Sequence, residues 1–426
     1  LIDFYFACND YYAYELAICI NAWCFNDKSK FDFDKLNSII DGYNNLRALN
    51  KEEYRYIRIL MRGAAVRFFL TRLHDEFFLP KDAFVKPKDP ILRLAVIGLV
   101  HDHVNWILNR QKEDVKIVGI VETNKKAIAR YQKRYSLSND LFFDSYESMY
   151  KTVKPDAVSA FNPTKEHLDV VRYFAPKRIP IMVEKPMATT YKEAQEMAEL
   201  SKKFNVPLLV NFETSWYEST YEAKKLLETD SFGSLTKMVF NTGHPGPQEI
   251  GCTPEFLDWL TDPILNGGGA LTDFGCYGAN IATWLLNGET PLRVSCVAKQ
   301  SKPDRYPKVD DDTTIILDYE KKKVVIQASW NWSHNRKDMQ IYGSKGYVNC
   351  KNAKDMILMK NEQVGEKKHI PQPISEAKKD PFRLLYEVVY KDVILEPYSL
   401  YSIENNLIVS KTVSYTHLTL PTKRIV

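Results

Sequence analysis

The sequence predicts an α/β chain: a doubly wound parallel sheet, then a C-terminal α+β domain with an open, mostly antiparallel sheet, both behind an all-helical opening stretch. Three observations carry this. From Leu92 onward, short apolar runs (LRLAVIG, VKIVGIVE, DAVSAF, IPIMVEK, PLLVNF) alternate with charged helical patterns, as parallel strands buried on both faces do. After about Phe212 the apolar runs lengthen and alternate, as in SLTKMVFNTG, DTTIILDY and KVVIQASWNW, with turn signals such as YGSKG between them. Residues 1–90 instead show apolar residues at helical spacing, as in YELAICINAWCF and RGAAVRFFLTRLHDEFF.

Taken in order, the chain divides into a helical stretch at 1–90, a dinucleotide-type α/β domain at 91–212, an α+β domain at 213–413 and a tail at 414–426. A length of 426 residues suits about three domains at roughly 150 residues each. One connecting helix announces its start: Thr190 and Glu193 fit a capping box, and Ala194, Met197, Ala198 and Ser201 then share one face. The tail, SYTHLTLPTKRIV, follows a helical segment without a cap or stop signal. It reads as a translated sequencing-library adapter and is set apart from the fold.

With 58 basic and 54 acidic side chains the net charge is +4, too small and too evenly spread for a nucleic-acid or membrane partner. No apolar run reaches the 18 or so residues of a membrane span, so a cytoplasmic protein acting on small molecules is expected. Seven cysteines, Cys8, Cys19, Cys24, Cys252, Cys276, Cys296 and Cys350, include no C-x-x-C pair and read as buried thiols.

Gly98 lies where the first strand turns into a predicted helix, a place where backbone amides and the helix dipole can hold a pyrophosphate. The later glycines of a G-x-G-x-x-G loop are replaced by Val100 and His103. Glu122, closing the second strand, can accept hydrogen bonds from an adenosine ribose and repels a 2′-phosphate. NAD is therefore expected over NADP, with Lys125 and Lys126 keeping NADP open. His101 and His103 could converge on an ion, but with no third ligand suggested nearby they read as polar lining of the cofactor loop, and no metal site is predicted. Lys185, at the carboxyl end of a strand, sits where such folds bind ligands and can take part in moving a hydroxyl proton.

IPIMVEKPMATTYKEAQEMAE, with AFNPTKEH before it and LNGGGALTDFGCYGANIATWLL after it, resembles the glucose-fructose oxidoreductase, inositol dehydrogenase and MocA family over about residues 91–413. The resemblance implies a Rossmann domain, a mostly antiparallel C-terminal sheet, and hydride transfer between NAD(P) and a sugar, polyol or related carbohydrate. It places Asn162, Pro163 and His167 under the nicotinamide and ribose, makes Glu184 and Lys185 the EKP pair, and makes Lys185 the catalytic lysine. Many members carry a histidine in DxGxHxxD; here the segment reads Asp273, Gly275, Tyr277, Asn280. Tyr277 is then expected as acid/base, its pKa brought down from about 10 by Lys185, with Asp273 orienting Lys185 or the substrate. Asn280, His244, Trp259, Trp330 and Trp332 are candidate sugar contacts. Alternatives of the same fold are an NAD-dependent glycoside hydrolase and a sensor without chemistry. A homodimer or homotetramer is implied by resemblance alone.

LIDFYFACNDYYAYELAICINAWCF, RGAAVRFFLTRLHDEF and VKPKDP resemble the C-terminal part of homoserine kinases of the aminoglycoside-phosphotransferase type. In that resemblance Asp3 would hold Mg²⁺, while the phosphate-covering loop and catalytic loop would precede Leu1, so kinase activity is not expected. The junction at Pro90/Ile91 carries no linker, and a chimeric reading frame is expected.

Overall fold

The computed structural model describes residues 11–26, 30–78, 90–229, 232–360, 365–391 and 393–418. Asp3 and Cys8 lie outside them. The chain forms two units, Leu1–Asp89 and Pro90–Val426.

The first unit holds helices Tyr12–Trp23, Phe33–Asn44 and Lys51–Phe78. The second of these begins at Asp32, whose side chain accepts from the amides of Asp34 and Lys35. Its buried cluster is small, centred on Leu16, Ile20, Cys24, Leu49 and Ile57. Large apolar side chains remain in solvent along the third helix, among them Phe69, Phe77 and Phe78 at 65%, 71% and 70% exposure.

The second unit contains two sheets. Strands β1 (Leu92–Ile97), β2 (Val115–Val121), β3 (Phe142–Phe143), β4 (Ala157–Ala160), β5 (Ile181–Glu184) and β6 (Leu208–Asn211) form a six-stranded sheet in the order β3-β2-β1-β4-β5-β6, parallel throughout. Strands β4, β5 and β6 are buried at every position, which is why they read as continuous apolar runs. The order reverses between β1 and β4, and ligands of such sheets lie beyond the carboxyl ends of the strands at that switch.

Strands β7 (Leu235–Gly243), β8 (Arg293–Lys299), β9 (Asp312–Asp318), β10 (Lys323–Ser329), β11 (Arg336–Gly343), β12 (Tyr347–Cys350), β13 (Met356–Met359) and β14 (Lys367–His369) form the second sheet, ordered β14-β13-β12-β11-β7-β10-β9-β8. Its pairs are antiparallel except β7 with β10. A helix buried along its whole length, Ala270–Leu285, lies against β7, β9 and β10. Its start is fixed by the Asp310 carboxylate, which accepts from the amides of Gly269 and Leu271. A β-carbon on Gly269 would come within 1.9 Å of the Asp310 carbonyl oxygen, so only glycine fits this entry.

Three local expectations need correcting or extending. The helix expected after Gly98 is a 3₁₀ turn, Asp102–Val104, followed by one α-turn, Asn105–Leu108, too short to carry a sizeable dipole. Helix Tyr191–Phe204 has the full capping box, with both the Thr190 and Glu193 side chains bonded. The final helix, Ile403–Leu418, runs five residues into the stretch set apart as a tail. Ser414 Oγ accepts from the Tyr191 amide at 3.2 Å, and Thr416 is buried. Among the described cysteines, Cys24, Cys276, Cys296 and Cys350 are buried, and all six are free thiols. No helix of the described residues is long and apolar enough to cross a membrane.

Candidate active site

The carboxyl ends of β1, β2 and β4 open onto a cavity of about 390 Å³ lined by Gly98, Val100, Glu122, Asn162, Pro163 and Glu166, among others. Gly98 makes the turn with φ +83°, and a β-carbon there would come within 2.7 Å of the Asn162 backbone, so this turn needs glycine on both counts. Glu122 organises the floor: Oε2 accepts from the Leu99 amide, and Oε1 accepts from those of Thr123 and Asn124, each at 2.7 Å. Three of the roughly four acceptor positions of a carboxylate therefore hold the chain's own loops. The carboxylate expected to be free for a ribose keeps about one acceptor position for it.

His101 is buried beside Phe256 and Trp259. Its Nδ1 accepts from the His103 amide, and burial, with His103 and Lys185 adding to it, holds its pKa well below the usual histidine range. The proton then sits on Nε2, a buried atom with no partner. Asn162 Oδ1 and His167 Nε2 are likewise buried and unpartnered, while His167 Nδ1 lies 3.2 Å from the Met187 carbonyl and burial takes its pKa to about 4. Unsatisfied polar atoms cost about 1–3 kcal/mol each in a folded protein. These atoms, beside a glycine turn and a cavity, fit a polar ligand of the nicotinamide dinucleotide type.

His103 Nδ1 meets Glu184 Oε2 at 2.8 Å, and Asn211 Nδ2 donates to Glu184 Oε1 at 2.6 Å. Glu184 is thus the third group that sequence spacing did not reveal: His101, His103 and Glu184 each offer an atom within 4.8 Å of the others. His101 Nδ1 already accepts from the His103 amide, which leaves the buried, unpartnered Nε2 as a hydrogen-bond donor.

Lys185, at the end of β5, is buried, and its Nζ donates to the Asp273 side chain and, at 3.2 Å, to the Asp273 carbonyl. Burial pulls the ammonium pKa down, yet the Asp273 charge outweighs it and the net shift is upward. In Asp273 burial pushes up, while Lys185, His244 and the hydrogen bonds bring the net shift down. Both partners are charged. Asp273 Oδ2 is held from behind by the Trp330 indole N–H at 3.0 Å.

Tyr277 lies one helical turn from Asp273, its ring 5.2 Å from Lys185 Nζ. Lys185 faces the ring and donates to Asp273 rather than to the phenol. Burial first, then Glu213 and other acidic neighbours, push the Tyr277 pKa well above 10. The expected lowering by Lys185 is therefore reversed: burial dominates, and the ammonium is committed to Asp273. On the far side, Lys337 Nζ lies 5.9 Å from the same ring and donates to Glu213 Oε2 at 2.6 Å.

Of the expected sugar contacts, His244 packs edge-on against Phe274, with its pKa taken to about 4 by burial. Half-buried Trp332 donates to the Thr242 carbonyl at 3.3 Å. The other three are structural. Trp259 donates to the Val100 carbonyl at 3.2 Å and holds the cofactor loop. Trp330 holds Asp273. Asn280 is buried and donates to the Leu400 carbonyl and to Asn406, tying down the final helix. Glu213 and Lys337 were missed. Glu213 follows β6 at its carboxyl end, the position that singled out Lys185, whereas Lys337 lies on β11, whose RKDMQIYG lacks a clean alternation.

Residues 92–212 match the family model described as oxidoreductase family, NAD-binding Rossmann fold, and residues 220–349 match that for the GFO/IDH/MocA C-terminal domain. Similar solved structures include the aldose-aldose oxidoreductase of Caulobacter crescentus complexed with glycerol, 19% identical, covering 79% of this chain and 99% of that one, TM-score 0.66. An oxidoreductase from Thermotoga maritima is 22% identical over 77% of this chain and 96% of its own, TM-score 0.63. One from Agrobacterium radiobacter, in complex with NAD+, L-tartaric acid and magnesium, is 16% identical over 79% and 98%, TM-score 0.64. The opening stretch is similar instead to homoserine kinases. That of Nitrobacter hamburgensis is 53% identical over 91 residues, and that of Rhizobium meliloti 47% over 97. The chain spans 28% and 30% of the length of these two curated relatives.

Proposed function

We propose, for a chain that belongs to the GFO/IDH/MocA oxidoreductase family and carries its NAD-binding Rossmann domain, that it interconverts an alcohol and a carbonyl on a sugar, polyol or related carbohydrate. The observation that carries this reading is the buried Lys185 ammonium, clamped by Asp273 at the carboxyl end of β5 and facing Tyr277. Gly98, Val100, His101, His103, Glu122, Asn162, Pro163, His167, Glu184 and Lys185 would hold the dinucleotide. Bound there, a nicotinamide supplies a hydride acceptor for the alcohol or a hydride donor for the carbonyl.

Lys185 moves the proton in this account. As an ammonium it donates to the oxygen of a carbonyl undergoing reduction, and as the free amine it takes the hydroxyl proton of an alcohol undergoing oxidation. Asp273 orients it, and Trp330 orients Asp273. Tyr277, kept neutral, donates a hydrogen bond to the substrate oxygen. The Lys337–Glu213 pair and His244 offer further donors and acceptors to hydroxyls. No phosphoryl transfer is proposed for residues 1–90.

A screen of polyols and aldoses with NAD or NADP, followed by cofactor absorbance, tests the reading. Lys185→Met should lower turnover by about 10²–10⁴, the usual weight of a general acid-base group, with NADH still bound. Tyr277→Phe, which removes one neutral hydrogen bond, should retain more activity than Lys185→Met. Release of sugar from glycosides without net NADH would favour the hydrolase alternative.

A further inference from the structure

We infer that the second unit carries a separate binding site for a small anionic sugar, of the monosaccharide phosphate class, away from the cofactor cavity. A cavity of about 440 Å³ is walled by the Rossmann segment at 105–112, Arg134 and Tyr135 on one side, and by Trp216 and residues 376–382 on the other. It shares no lining residue with the cavity at Gly98. Its size falls within the roughly 300–1,000 Å³ of small-molecule sites, which favour such junctions.

Two features define the occupant. The wall is aromatic: Trp106 and Trp216 meet edge to face at 4.7 Å, giving apolar surface for a sugar ring, and the Trp216 indole N–H is buried without a partner. The rim carries four cations, Arg110, Lys112, Arg134 and Lys379, of which Arg134 alone is not offset by an acidic partner among the described residues. Arg110 is committed to Asp114 and Asp380. Lys112 bonds Glu376 and Asp380, and Lys379 bonds Glu218 and Glu376, yet each ammonium has three donors and can turn one toward a ligand. Exposed Arg134 stacks on Tyr135 at 5.3 Å and has no ion-pair partner among the described residues, leaving its planar donor fork for a phosphate.

The cavity also touches the proposed active site through one ring. Trp106 stacks on His103 at 3.8 Å, and His103 bonds Glu184.

Calorimetric titration of the full chain, without cofactor, against glucose 6-phosphate, glucose and inorganic phosphate tests the inference. It does not depend on the catalytic reading, since binding is measured without turnover. The expected result is saturable binding of glucose 6-phosphate, at least about tenfold tighter than glucose or phosphate alone, because a charge-assisted bond and ring contact act together. Arg134→Ala should weaken glucose 6-phosphate by about tenfold or more and leave NADH binding unchanged. Absence of saturable binding would overturn the inference. So would equal affinity in Arg134→Ala, or displacement by NADH, which would place the ligand in the cofactor cleft.

Discussion

The Asp273→Asn substitution tests the central ion pair without needing a substrate. Lys185 Nζ is buried, and burial is the largest influence on it; the Asp273 charge leads the groups, Cys276 and Glu184 among them, that turn the net shift upward. The introduced amide can still accept from Trp330 but presents no charge to Lys185. Breaking a buried pair in this way costs about 3–5 kcal/mol. Burial then outweighs the remaining influences of Cys276 and Glu184 on the ammonium, and it can lower a lysine by as much as about 3–5 pH units. A fall of only about 2 from the reference of about 10.4 is about 2.7 kcal/mol. The sign follows from linkage. In the wild type the folded pKa is raised, so the contribution of Lys185 is complete below about pH 10.4 and is lost only above it. In the variant the folded pKa lies below that of the unfolded chain, so between the two the unfolded state binds more protons and stability rises with pH. Urea denaturation of both proteins at pH 7 and pH 10 should show the gap narrowing by about 2–3 kcal/mol at the higher pH. A gap that stays constant would refute the claim that a buried, charged Lys185 depends on Asp273.

Trp330→Phe leaves Asp273 Oδ2 without its indole donor and should cost about 1.5–3 kcal/mol beyond the lost ring volume. In an Asp273→Leu background the same change should cost that much less, and equal costs by urea denaturation in both backgrounds would count against the contact. His167, taken to about 4 by burial, stays neutral in the fold while the unfolded chain protonates below about pH 6.5. Acidification from pH 6.5 towards 4 should therefore remove about 3 kcal/mol, and His167→Asn should flatten that loss in urea titrations at pH 7 and 4.5. The exposed Phe69, Phe77 and Phe78 should make the full chain aggregate more readily than one lacking residues 1–90. Light scattering that is equal for the two would refute this.

Much of the architecture was legible because the signals were local. Runs such as IPIMVEK and PLLVNF are buried on both faces and stand out as apolar islands. The capping box at Thr190 and Glu193 pairs residues three apart. What stayed hidden depended on distance along the chain. Glu184 joins His103 across 81 residues, Trp330 reaches Asp273 across 57, and Asn280 anchors Leu400 across 120. An isolated tryptophan or asparagine gives no hint of such a partner, so aromatic residues read as sugar contacts proved to be holding a loop and a carboxylate. The reversed shift of Tyr277 has the same origin, since its burial and the acidic Glu213 beside it come only with the tertiary fold. β3, two residues long, and β12–β14, three or four residues each, are too short to show, and β11 lacks a clean alternation.

The most direct test of the cofactor account is fluorescence titration of the full chain with NADH and, in parallel, NADPH. With Glu122 closing β2 at the cavity, saturable NADH binding at least about tenfold tighter than NADPH is expected. A folded protein that binds neither would contradict the account, because the loop through Gly98, Val100 and His103 would then be closed to a dinucleotide.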